Sequence, residues 1–314
     1  MGSMLRIVLC IVMLLEFSSL RSSAETHSPP PSSVDPTPAS FTLTIAPGKS
    51  TYALYEPVYL TCTLKNPTFT TVLAEVRSLR VVDQYLRLAI RAEGGEPSKY
   101  YFGAVADTLG SANRDFAPAG YPGDSLVESV TVFFNNESRD LAFPRTGRFS
   151  ILGSVYLGNH PDPVFVNANP VSIQVIEPRP VDLQLMDAVG SKDALVSLLK
   201  NGARGYCENR SSRECVKTLW RLVNEFPDSA YTPAITLQVA SASAEGSTAR
   251  DTDLEIKVLR HFLQQWPQHA QAPAVLRMLA LALNSSGNKS EALDLVKSFE
   301  EKYPGRESPR RMIE

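Results

Sequence analysis

The chain has 314 residues, a formal net charge of −2, and 43% hydrophobic against 20% charged residues. It is longer than one typical domain of about 100–200 residues and apolar enough for real cores, so two domains are expected. The near-neutral charge argues against nucleic acid as a partner.

The N-terminus reads as an export signal. Arg6 precedes the apolar run Ile7 to Leu15, and Ser22-Ser23-Ala24 supplies small residues ahead of Glu25. The run is too short to span a bilayer, Glu16 and Arg21 interrupt its extension, and no later stretch reaches eighteen apolar residues. Residues 1–24 are therefore expected to be cleaved. Loss of Arg6, Arg21 and Glu16 moves the charge from −2 to −3 and leaves a soluble extracytoplasmic protein, periplasmic or secreted. Membrane contact is expected only if the segment stays as an uncleaved anchor; a lipoprotein reading through Cys10 suffers from the bulk of Leu9. Residues 25–40 set Pro29, Pro30, Pro31, Pro36 and Pro38 among Ser and Thr and read as an extended linker.

Period-two alternation then runs from Phe41 to Glu177: Phe41, Leu43, Ile45; Val58, Leu60, Cys62, Leu64, with Thr61 and Thr63 opposite; Leu86, Leu88, Ile90; Val130, Val132, Phe134; Phe149, Ile151, Val155, Leu157; and Val171, Ile173, Val175. Breakers stand between them at Pro47-Gly48, Asn66-Pro67, Gly94-Gly95, Pro122-Gly123 and Pro161. Residues 41–178 are thus expected to form an antiparallel β-sandwich. Tyr55-Glu56-Pro57-Val58 before a strand ending at Asn66, and Phe143-Pro144-Arg145-Thr146-Gly147-Arg148-Phe149, resemble bacterial extracytoplasmic immunoglobulin-like domains. In that pattern Tyr55 replaces a usual Gly and Phe149 a usual Tyr. The resemblance implies the fold and no activity.

Glu177-Pro178-Arg179-Pro180 marks a boundary, with a second linker over 179–190, after which the spacing becomes helical. Val216, Leu219, Trp220 and Val223 form one stripe; Leu254, Val258, Leu259, Phe262 and Leu263 a second; Ala292, Leu295, Val296 and Phe299 a third. Each is followed by an aromatic-proline pair, Phe226-Pro227, Trp266-Pro267 and Tyr303-Pro304, spaced by 40 and 37 residues, with further prolines at Pro233, Pro273 and Pro309. The first proline stops a helix and the second can start the next. Thr232 to Ala244 is expected to pair with Thr252 to Trp266, and Ala272 to Asn284 with Lys289 to Tyr303, as stacked α-hairpins. This repeat resembles the tetratricopeptide family of bacterial envelope-assembly proteins over residues 191–309, with Ala280, Ala292 and Pro304 at its small, small and proline positions. Cys215 and Glu255 depart from the pattern where Ala292 fits it. A plain helical bundle is the other architecture open, and 310–314 is a tail.

Cys62, Cys207 and Cys215 remain after cleavage. Cys207 and Cys215 flank a polar stretch and can close a short disulfide loop; two free thiols is the other reading. Cys62 fits the buried face of a strand. Neither CxxC nor a His pair at ligand spacing occurs, so no metal and no cofactor is expected. No HExxH, GxSxG, P-loop or dinucleotide fingerprint appears, His160-Pro161-Asp162 reads as a hairpin turn, and Asp251 to Glu255 as helix capping. No catalytic residue is therefore named. Asn136, Asn209, Asn284 and Asn288 begin glycosylation sequons that carry weight only in a eukaryotic secretory pathway.

Two function classes stand. In the first, a non-catalytic scaffold holds a protein or peptide on the concave side of its helical repeats. In the second, the sandwich binds a glycan or surface polymer through Tyr100, Tyr101, Phe116 and Tyr121, aromatics set among Gly, Ala and Pro. Core-facing strand positions for Tyr100 and Phe102 are the plainer reading of that segment. A secreted hydrolase is a third and weaker one.

Overall fold

The computed structural model describes residues 41–66, 79, 85–100, 125–160, 162–207, 212–244, 250–304, 306 and 308–314. The signal-peptide and first-linker readings, and Tyr101, Phe116 and Tyr121, lie outside the described residues.

The N-terminal part is β and the C-terminal part helical. The strands are β1 (Thr42–Pro47), β2 (Thr51–Ala53), β3 (Val58–Lys65), β4 (Leu86–Ala92), β5 (Ser98–Tyr100), β6 (Ser125–Val132), β7 (Phe134–Asn135), β8 (Asp140–Leu141), β9 (Gly147–His160), β10 (Asp162–Asn167) and β11 (Val171–Ile176). One sheet has the order β1-β3-β6; a second has β2-β11-β9-β4-β5, with β10 also on β9; β7 and β8 form a small ribbon. The alternating apolar residues Leu43, Ile45, Leu60, Cys62, Leu64, Leu88, Ile151, Val155, Ile173 and Val175 from both sheets meet in one core. The sheets approach so closely that a Cβ on Gly153 of β9 would collide with the Ile45 Cδ1 of β1.

Two expectations change here. The pairing is antiparallel except for β2, which joins β11 in parallel. After Pro47 the chain crosses from the first sheet to the edge of the second, where β2 lies alongside the last strand. Phe134 does not continue the alternation of Val130 and Val132: β6 ends at Val132, and Phe134 begins β7 with the Lys200 Nζ 3.5 Å from its ring centroid. On the outer face of β3 Tyr59 is buried, as is its neighbour Leu60 on the inner face. His160 and Asp162 do pair across a hairpin, as that turn implies.

The helices are α1 (Pro180–Val189), α2 (Lys192–Tyr206), α3 (Ser212–Glu225), α4 (Thr232–Ser243), α5 (Thr252–Gln265), α6 (Ala272–Ser285), α7 (Lys289–Lys302) and α8 (Arg310–Ile313). Helix α4 packs on α5, α5 on α6 and α6 on α7. The segment read as a second linker contains α1. Pro180 at its first turn has φ set for a helix and no N–H to lose, and the Asp182 carboxylate accepts the Arg179 N–H in a capping box. The tail likewise forms one turn, α8, which buries Ile313. Cys207 and Cys215 are joined by a disulfide linking the end of α2 to the start of α3, and Cys62 is a buried free thiol.

Candidate functional site

The aromatic-proline pairs build one local structure three times. In each, the amide three residues after the aromatic donates to the aromatic's carbonyl: Ser229 to Phe226 at 3.2 Å, His269 to Trp266 at 3.0 Å, Arg306 to Tyr303 at 3.3 Å. Trp266 and Tyr303 cap their helices with nearly equal dihedrals, φ −130° and −128°. The proline that follows disfavours α geometry at both. Each ring also packs on the aromatic one turn earlier, Trp266 on Phe262 at 5.2 Å and Tyr303 on Phe299 at 5.5 Å.

Because the turn repeats, its equivalent residues reach the same side, and that side meets the β part. The Tyr231 hydroxyl, from the first turn, donates to the Leu54 carbonyl at 2.7 Å. In the second turn the His269 ring stands edge-on to Tyr59 at 4.6 Å, Gln271 Nε2 donates to Thr131 Oγ1 at 3.2 Å, and the Ala270 carbonyl accepts from Ser129 Oγ at 2.7 Å. In the third, Arg306 Nη1 donates to Ser129 Oγ at 3.1 Å. Tyr59 pairs with Thr131, and Thr61 with Ser129, on the outer face of β3 and β6. Ala53, Tyr59 and Phe133 belong to the apolar core of the helices.

A cleft of about 510 Å³ opens at this junction, lined among others by Lys49, Tyr52, Glu56, Asp228, Trp266 and His269. Its charges are arranged in capped pairs. Lys49 Nζ lies 2.6 Å from Glu56 Oε1, while Glu56 Oε2 accepts the Ala53 N–H at 2.9 Å. Burial raises the Glu56 pKa, and Lys49 only partly offsets it. Asp182 is fully buried; it accepts from Arg179 N at 2.8 Å, Arg179 Nε at 3.0 Å and Ala230 N at 2.7 Å. Burial alone would raise its pKa, yet the Arg179 guanidinium and the backbone amides hold it below the ordinary carboxylate value. His269 is held neutral, its pKa pushed down to about 4 by burial and by Lys49. Its Nδ1 accepts the Gln271 N–H at 3.1 Å, which leaves the ring proton on Nε2. Both buried carboxylates are thus committed to cations and backbone amides.

A second concavity of about 480 Å³ lies on the helices, lined by residues of α3 and α5 with Leu283 and Asn288 beside them. Trp220 and His261 meet edge to face at 5.1 Å, and His261 stands 5.9 Å from Trp266. Burial lowers the His261 pKa. Asn224, Gln264 and Asn288 add side-chain amides, and Lys257 and Arg260 add charge, Arg260 being paired with Glu291 at 2.6 Å.

Of the residues singled out in the sequence, Tyr100 is buried, its hydroxyl accepting the Phe133 N–H at 3.2 Å. It faces the core and is not a contact surface. Ala280 and Ala292 are buried among the helices; Phe226, Trp266 and Tyr303 are half-buried, and Pro227, Pro267 and Pro304 exposed. Trp266 therefore serves helix packing and the cleft wall together. Sequence reading missed Lys49, Glu56, Arg179, Asp182, Tyr231 and His269. The signal was present only in Ser229, His269 and Arg306, which share one place in the repeat.

No family model matches the chain, and no curated protein matches it. Among solved structures, the CARDB domain of a Pyrococcus furiosus protein, in complex with di-metal ions, is 10% identical at a TM-score of 0.21, over 44% of this chain and 93% of that one. A mutant beta-glucosidase from Listeria innocua, in complex with laminaribiose, is 12% identical at a TM-score of 0.25, over 43% of this chain and 16% of that one. At these TM-scores neither likeness defines an activity for this chain. Among the described residues no group of three or more His, Cys, Asp or Glu is placed to hold a metal ion. No described helix is long and apolar enough to cross a membrane.

Proposed function

We propose that this is an exported, non-catalytic binding protein in which a tetratricopeptide-like array of α-hairpins, carried on an immunoglobulin-like β-sandwich, holds an extended segment of a partner protein in the groove between α3 and α5. The observation that carries the reading is the groove's composition. Trp220 supplies a rigid apolar surface, and Asn224, Gln264 and Asn288 supply amides that both donate and accept, as a peptide backbone does. The repeat reading is supported by the three like turns at spacings of 40 and 37 residues. Docking these turns on the sheet holds the array as a platform, which lowers the ordering cost of binding.

In-cell cross-linking with mass spectrometry tests it. Cross-links from Lys257 and Lys217 to one partner polypeptide, lost in Trp220→Ala, are expected. Cross-links confined to the β part, or polysaccharide binding that survives Trp220→Ala with no protein captured at the groove, would overturn the assignment. Export is checked on the same material: the mature chain should begin at or near Glu25, and a chain beginning at Met1 throughout would refute cleavage.

A further inference from the structure

The junction holds a titratable group packed between its two parts. The His269 imidazole is wedged edge-on between Tyr59 of β3 at 4.6 Å and Phe262 of α5 at 5.2 Å. Its Nδ1 is filled by the Gln271 N–H, so a second ring proton displaces that bond. Charged groups line the cleft beside it from each neighbouring element. Lys49 comes from the turn between β1 and β2 and Glu56 from the loop before β3. Arg179 and Asp182 stand at the start of α1, Asp228 in the first aromatic-proline turn, and Trp266 on the ring's own turn. Lys49 repels an imidazolium; of the carboxylates, Glu56 is taken by Lys49 and Asp182 by Arg179, and Asp228 is exposed to solvent, which screens its charge.

We propose that His269 is an acid-opened latch: protonation of its imidazole releases the second aromatic-proline turn from β3 and lets the helical array swing away from the sheet, widening the cleft between them. The contacts around it are of a kind that can part. Gln271 to Thr131, Ala270 to Ser129 and Arg306 to Ser129 are single hydrogen bonds that water can replace, whereas the Tyr231 hydroxyl on the Leu54 carbonyl would remain as a hinge. A histidine whose folded pKa lies below its unfolded value gives stability that is full above 6.5 and is lost as pH falls towards the folded value of about 4. By pH 4 the opening equilibrium has risen by about 160-fold. Glu56 works the other way, because its raised pKa lets it take a proton without loss to the folded junction. For an exported protein this is a response to an acid compartment or medium, independent of what the α3–α5 groove holds.

The test is a titration of the full mature chain by NMR, following the His269 ring together with amide hydrogen exchange corrected for the intrinsic rate. In the wild type, His269 should titrate near pH 4, with loss of protection at the His269 and Gln271 amides while the amides of β9 and α6 stay protected. His269→Phe keeps the ring contacts without the proton, and its turn should stay closed down to pH 4. Opening of that variant at the same pH as the wild type would overturn the latch. So would wild-type titration between pH 6 and 7 with no loss of protection, a result that decides the matter even if the variant does not fold.

Discussion

Removing the Asp182 carboxylate is the sharpest perturbation of the junction. The side chain is fully buried and accepts from two backbone amides, those of Arg179 and Ala230, and from the Arg179 guanidinium. One carboxylate thus caps α1 and ties it to the first aromatic-proline turn. In Asp182→Ala both amides lose their acceptor, at about 1–3 kcal/mol each. The Arg179 side chain is 52% exposed and regains water, so the ion pair itself adds little. The expected loss is about 3 kcal/mol. For a chain of this size the urea dependence is about 3 kcal/mol per M, so the midpoint at pH 7 should fall by about 1 M with unchanged slope. The pH dependence supplies an internal control. Because the folded pKa of Asp182 is depressed, its contribution is complete above the unfolded value and is lost as pH falls through the folded one. The gap between wild type and variant should be constant from pH 7 to pH 5 and narrow below pH 4. A loss under about 1 kcal/mol, or a gap that widens in acid, would refute the role given to this carboxylate.

Tyr231→Phe leaves the Leu54 carbonyl without its 2.7 Å donor and should cost about 1–1.5 kcal/mol, read by urea titration. Trp266→Ala should cost about 2–3 kcal/mol, below the range for a fully buried aromatic because the ring is half-buried, and sheet and helices should melt in one transition; two separate transitions would show that the docking surface is not cooperative. Reducing the Cys207–Cys215 bridge, eight residues apart in sequence, should lower stability by about 2.5 kcal/mol, seen as a fall in the urea midpoint with dithiothreitol. Tyr55→Ala should be less stable than Tyr55→Gly by about 1 kcal/mol, because Tyr55 has φ 73° and only glycine is free of the left-handed penalty there.

Much of the fold is legible in the sequence because its signals are periodic. Leu60, Cys62 and Leu64 alternate and are buried; Val258, Leu259 and Phe262 follow helical spacing and are buried too. What resists reading is carried by single residues. Strands β2, β5, β7 and β8 are two or three residues long, too short for a period to declare itself. Arg179-Pro180 serves a linker and a helix start equally well, and what decides between them is Asp182 three residues later, a capping signal that is plain only once the turn at Ser229 and Ala230 is packed against it. The departure of Tyr55 from the glycine of the immunoglobulin-like pattern does mark a real constraint. Its backbone is left-handed, and its ring packs against both apolar cores with the Lys192 Nζ 5.4 Å above it.

The same distinction explains why the junction is invisible in the sequence while the repeats are not. A repeat spacing announces that turns recur, but not what they touch. The turns recur because each must stop one helix and start the next, and that need is satisfied by Phe226-Pro227, Trp266-Pro267 and Tyr303-Pro304 with Pro233, Pro273 and Pro309 behind them. The residues two to five places after each aromatic are then free to vary, and they do vary: Ser229, His269 and Arg306 occupy one structural position with three chemistries. Each is matched to a different point on the sheet, His269 to the Tyr59 ring and Arg306 to the Ser129 hydroxyl, while Ser229 sits beside the Asp182 cap. A proline rule thus fixes the scaffold, and the unconstrained positions beside it carry the docking. In such a division His269 is the member of the three whose charge changes in mild acid, and through it solvent pH reaches the joint between the two parts.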